Sequence, residues 1–98
     1  MSQYDYQQID DLIHSRIRLA VMSVLAVVDE ADFIFLREKI GATDGNLSVH
    51  LKKLEDGKYI GVKKSFINRK PVTHYKLTKV GRKALESYID KLEKLLKP

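Results

Sequence analysis

Cysteine is absent from all 98 residues. That excludes disulfides, thiolate metal sites and cysteine nucleophiles, and gives no reason to expect an oxidising compartment. Two prolines and five glycines are too few for a linker or low-complexity segment, and no internal repeat is visible. No apolar stretch approaches the ~20 residues of a membrane-spanning helix. The start, "MSQYDYQQIDD", has no basic residue followed by an apolar run, so no signal peptide is expected. The expected location is the cytoplasm, with no membrane partner. Acidic residues are missing from one long interval. Between Gly57 and Leu85 stand Lys58, Lys63, Lys64, Arg69, Lys70, Lys76, Lys79, Arg82 and Lys83, with no Asp or Glu among them. A one-signed block in a chain of net charge +5 attracts a polyanion, nucleic acid ahead of an anionic membrane surface. A merely solvated lysine-rich surface would have the same composition.

The length suits one compact domain over residues 1–98, which at this size buries roughly 60 to 65% of the unfolded chain's surface. So modest a core gains from a partner subunit. Residues 1–8 have no clear period and read as an arm or short helical lead-in. In "SRIRLAVMSVLAVVDEAD", Ile17, Val21, Val24, Leu25 and Val28 recur at helical spacing behind Ser15 as N-cap. "DFIFLREKIGAT" follows, with Asp32 as N-cap, Phe33, Leu36 and Ile40 on one stripe, and Gly41 as the stop.

"TDGNLSVHLKKLEDGKYI" then begins with Thr43 or Asp44 as N-cap and ends at Gly57, where a left-handed residue is wanted. On a wheel of about 100° per residue, Leu51 and Leu54 fall within roughly 40° of Leu47. Val49 points nearly opposite, with Gly45, Lys52 and Lys53 beside it and Asn46 and Ser48 at the margins. His50, within about 60° of the leucine stripe, reads as packing. Two short helices across a glycine-containing turn form a helix-turn-helix candidate. After Ile60 the period becomes alternating: "YIGVKKSF" and "VTHYKLT" read as two strands joined by "INRKP", a ribbon with a basic tip. Thr78 caps a last helix whose stripe is Val80, Leu85, Tyr88, Ile89, Leu92, Leu95 and Leu96. The fold class is mainly α with a small β-hairpin.

This order of elements, with "LSVHLKKLEDGKYI" and "YKLTKVGRKAL", resembles the winged-helix transcriptional regulators of the ArsR and MarR breadth, especially small stand-alone prokaryotic members. The resemblance runs from about Ile9 to Leu96. It implies dimeric, sequence-specific binding of double-stranded DNA, usually as a repressor. The absence of a cysteine pair departs from the metal-sensing branch. The short ends depart from larger MarR-type proteins, so no effector and no cofactor is assigned.

A helix of about thirteen residues is about 20 Å long and fits the ~12 Å major groove. The candidate recognition residues are Thr43, Gly45, Asn46, Ser48, Val49, Lys52 and Lys53. Asn46 and Ser48 suit base edges, Val49 a thymine methyl, and Lys52 and Lys53 phosphate or guanine. On the ribbon, Arg69 and Lys70 suit a narrow minor groove, and Lys63 and Lys64 suit phosphates. The last helix, residues 79–98, has more apolar surface than a small domain covers by itself. Ile13, Ile17, Tyr88, Ile89, Leu92, Leu95 and Leu96 are therefore the candidate homodimer interface. His14, His50 and His74 are scattered, and no phosphate-cradling loop or metal-ligand spacing occurs, so neither catalysis nor a metal site is expected. Two other readings use the same residues: a non-specific, chromatin-like DNA binder, and a winged-helix module for protein interaction or RNA binding.

Overall fold

The computed structural model describes residues 6–97. Most of the expected arm lies outside that range; Tyr6–Gln8 form a single 3₁₀ turn. Four helices follow, α1 (Arg16–Val28), α2 (Phe33–Ile40), α3 (Asp44–Asp56) and α4 (Lys79–Leu96), with strands β1 (Glu30–Asp32), β2 (Ile60–Ile67) and β3 (Lys70–Leu77). Each helix begins on a side chain that accepts a backbone N–H of its first turn: Ser15 from Arg18, Asp32 from Phe35, Thr43 from Asn46, Thr78 from Gly81. These bonds satisfy donors that a helix start otherwise leaves orphaned. Thr43, rather than Asp44, is the cap of α3.

The sheet has three strands in the order β1-β3-β2, all antiparallel, where the sequence pattern predicts two. β1 is only three residues long with Ala31 alone buried, so it has no alternation to read. Its pairing with His74, Tyr75 and Lys76 is long-range. The link between β2 and β3 is also tighter than the five residues expected. Ile67 pairs with Lys70, leaving Asn68 and Arg69 as a two-residue turn with φ of 52° and 66°. Positive φ at both central residues is what a type I′ hairpin requires.

One core cluster gathers Ile13, Val21, Met22, Leu25, Leu36, Leu47, Leu51, Leu54, Ile60, Leu77, Leu85 and Tyr88. It takes one face from each helix and the root of the sheet. Val80, part of the expected apolar stripe, is 58% exposed; at about 100° per residue it points roughly 140° away from Leu85, while Gly81 in the same turn is buried. Gly57 is not the left-handed residue after α3: its φ is −81°, and Lys58 takes the positive angle instead. A Cβ at position 57 would meet the end of the Leu12 side chain, which would have to shift to admit it.

At the junction between β3 and α4 the backbones lie close together. The Thr78 N–H donates to the Tyr59 carbonyl at 3.1 Å, and its hydroxyl donates to the Lys58 and Tyr59 carbonyls at 2.7 and 3.1 Å. The same hydroxyl oxygen accepts from Gly81 N–H at 2.9 Å. A Cβ on Gly81 would overlap the Tyr59 carbonyl. The "LTxxG" spacing thus lets the start of α4 lie directly on the residue that precedes β2.

Candidate nucleic-acid interface

α3 buries Leu47, Leu51 and Leu54 and turns the opposite face to solvent. Gly45, Asn46, Ser48, Val49, Lys52 and Lys53 are all exposed, Val49 by 54%. Thr43 is exposed too, but its hydroxyl is engaged as the cap. Arg37 of α2 bridges to Asp44 at 3.2 Å across the turn, a surface pair of little energetic weight that ties the two helices of the motif together.

The two lysines of α3 are not equivalent. Lys52 lies 3.1 Å from Asp56 and 3.9 Å from Glu55. The hydrogen bond with Asp56, with the charges of both carboxylates, raises its pKa. Lys53 has no ion pair among those found for the described residues. A phosphate competing for Lys52 has to displace its own helix's carboxylates.

Across from α3, the alternation of β2 and β3 sorts the wing residues onto two faces. Val62, Lys64, Thr73 and Tyr75 face α3, where with Phe33, Ser48, Leu51, Lys52 and Glu55 they line an open cleft of about 460 Å³. Lys63, paired with His74, lies on the other side, in a second depression lined also by Glu30 and Lys76. The two adjacent wing lysines are therefore separated, Lys64 beside the outward helix face and Lys63 behind it. Thr73, which sequence reasoning passed over, joins the cleft because it is opposite Lys64 in register. Tyr75 closes its floor, its pKa raised by burial and by the Glu55 charge. Arg69 and Lys70 are exposed at the tip.

His50 does pack, as its wheel position predicts, but through a polar contact. Arg18 Nη1 lies 2.8 Å from His50 Nδ1, and Arg18 Nε donates to the Leu12 carbonyl at 2.6 Å. Because guanidinium is only a donor, Nδ1 accepts and the ring's proton is on Nε2. Burial lowers the His50 pKa, with further contributions from the Arg18 and Lys53 charges. Arg18 thereby pins the N-terminal loop and α3 to α1.

Two expected interface residues prove to be internal. Ile13 is 0% exposed and Tyr88 4%, and the Tyr88 hydroxyl is 3.0 Å from His14 Nδ1. Both fill the chain's own core, because the loop before α1 folds back on α4. Ile17, Leu92 and Leu95 are half-buried, while Ile89 and Leu96 are 45% and 74% exposed.

A short second helix, a tight turn, a third helix with a free polar face, and a basic hairpin beside it define a winged helix-turn-helix. The chain belongs to the winged helix DNA-binding domain family, whose model matches residues 17–96. It is 37% identical over 86 residues to an uncharacterised protein of Methanocaldococcus jannaschii, covering 88% of this chain and 94% of that one. Among solved structures, the fold is similar to that of a transcriptional regulator homologue from Pyrococcus horikoshii OT3. There the TM-score is 0.88 at 22% identity, over 99% of this chain and 96% of that one. An ArsR family transcriptional regulator, RHA00566, gives a TM-score of 0.60 at 21% identity, over 99% and 97%. BpsR of Bordetella bronchiseptica gives 0.74 at 17% identity, over 94% and 69%. The winged-helix resemblance carried by the two sequence motifs holds.

Proposed function

We propose that the chain is a dimeric, sequence-specific regulator of transcription that binds double-stranded DNA, acting as a repressor in a prokaryotic cytoplasm. The observation that carries this reading is the outward face of α3, where Asn46, Ser48 and Val49 are exposed beside a cleft bearing Lys64 and Thr73. With α3 in the major groove, Asn46 and Ser48 meet base edges and Val49 a thymine methyl. Lys53, Lys64 and Thr73 meet the flanking phosphates, and the tip with Arg69 and Lys70 reaches the neighbouring minor groove. Lys63, behind the sheet, adds only long-range attraction.

The dimer rests on the apolar side of α4. Ile89, Leu92, Leu95 and Leu96, with Ile17 of α1, form the proposed interface, and a two-fold axis there gives a palindromic site with half-sites about 34 Å apart. Selection of bound sequences from random duplex DNA tests the whole reading. The expected result is a palindrome bound at least ~10³-fold more tightly than unrelated duplex, with affinity falling steeply as salt rises. A steep salt slope with no preferred sequence would favour the chromatin-like reading. Absence of duplex binding would leave the RNA or protein-interaction module.

A further inference from the structure

The wing tip carries more than charge. Phe66 is 76% exposed and Ile67 52% exposed, large apolar side chains on an 8-residue strand that ends at the Asn68–Arg69 turn. Phe66 pairs with Pro71 across the hairpin. Residues two apart or directly opposite share a sheet face, so Phe66 and Pro71 continue the row of Val62, Lys64, Thr73 and Tyr75 that faces α3. Ile67 lies on the reverse face with Lys63 and Ser65. Phe66 therefore stands about 7 Å beyond Lys64 along the strand, on the side that looks towards the recognition helix, with Arg69 and Lys70 beside it.

We propose that Phe66, backed by Pro71, is a wedge that enters the minor groove and partly unstacks one base step, bending the duplex towards the major groove. The proposal rests on the DNA-binding reading above and adds a specificity element to it. Its occupant is double-stranded DNA because every charged residue of the hairpin itself is basic: Lys64 shares the face of Phe66, Arg69 and Lys70 are at the turn, Lys63 is on the reverse face, and no acidic residue occurs between Gly57 and Leu85. The acidic residues that border this face come from other elements, Asp32 opposite His74 and Glu55 on α3. The face matters as much as the charge. With α3 in the major groove and the Lys64 cleft over the intervening phosphates, the next two residues of β2 reach the adjacent minor groove. Apolar side chains inserted there kink DNA, most cheaply at flexible pyrimidine–purine steps such as TA and CA. Preference at the flanks of the site then arises without any hydrogen bond to a base. The two-residue turn and the cross-strand proline hold the ring at a defined height on the ribbon.

The test uses the full chain and its selected duplex. 2-Aminopurine is placed in turn at each step flanking the half-site, and end-to-end energy transfer reports bending. Wild-type protein is expected to raise emission several-fold at one flanking step and to bend the duplex by an angle within the roughly 20–90° of wedge-type binders. Phe66→Ala should abolish both signals and weaken binding about 10-fold while leaving the salt slope unchanged, since no charge is removed. Phe66→Leu should keep part of each signal, and circular dichroism melting confirms that both variants fold. A wild-type complex that is specific but straight, with no emission change, would overturn the wedge and leave the regulator reading standing. So would Phe66→Ala behaving as wild type on DNA, including the case where it loses only binding to anionic phosphatidylglycerol vesicles. Failure of the wild type to bind any duplex would overturn both readings.

Discussion

Two glycines in this chain make opposite demands. Gly81 opens α4 against the Tyr59 carbonyl with no room for a Cβ, whereas Gly45 in α3 has nothing within 4 Å of that position. Alanine is the better helix former by about 1 kcal/mol, so only the environment decides the sign. Gly81→Ala should lower stability in urea titration by about 1–3 kcal/mol, the cost of forcing atoms into packed space. Gly45→Ala should raise it by about 0.5–1 kcal/mol and, if α3 lies close against DNA, weaken duplex binding. Two titratable groups contribute opposite pH dependences. Burial, then the 2.5 Å hydrogen bond to the Asp10 carboxylate, pushes the Tyr59 phenol up to about 12. An unfolded tyrosine ionises near 10, so the Tyr59 contribution is complete below pH 10 and is lost as pH rises towards 12. Tyr59→Phe should remove that alkaline loss and reduce neutral stability by about 1 kcal/mol, since the hydrogen bond is only partly shielded from water. His50 works at the other end. Its pKa is lowered from 6.5, so below 6.5 the unfolded chain takes up a proton that the folded chain resists, and stability falls with pH. His50→Gln should flatten denaturation midpoints across that acid window.

At the scale of elements, α3 is where sequence and structure agree best, and the reasons are local. Its cap, its leucine stripe and its outward residues all depend on neighbours within four positions, so periodicity displays them. Thr43→Ala should cost about 1 kcal/mol. What periodicity cannot show is which lysine is occupied. Because Lys52 is held by Asp56 and Glu55, Lys53→Ala should reduce the salt slope of DNA binding by about 0.9 and Lys52→Ala by clearly less. The features hidden in the sequence are those built by long-range pairing: β1 joins β3 across more than 40 residues, and Thr73 reaches the cleft through its partner Lys64. The burial of Ile13 and Tyr88 is of the same kind. A stripe on α4 reads the same whether another copy or the chain's own N-terminal loop covers it. Here the loop covers the first part and leaves the rest.

The whole molecule is elongated, 56 × 25 × 22 Å with a radius of gyration of 14.8 Å, against about 13 Å for a typical 100-residue globule. The eighteen residues of α4 make a helix about 27 Å long. If the exposed end of α4 is the dimer contact, Leu92→Glu should convert a sedimenting dimer to monomer, weaken operator binding, and leave contacts to a single half-site intact. An unchanged sedimentation coefficient would remove α4 from the interface. The junction at Tyr59, Thr78 and Gly81 then acquires a mechanical meaning. It joins the start of α4 to the root of β2 through hydrogen bonds and backbone contact, a path by which a turn of α4 would carry the wing with it. In the proposed dimer each recognition helix would stand about 17 Å from the two-fold axis, half the ~34 Å repeat, and a 10° turn of one protomer would shift its reading head by about 3 Å. That is close to one base pair. Packing changes along α4 would thus retune operator spacing while the half-site sequence stays the same.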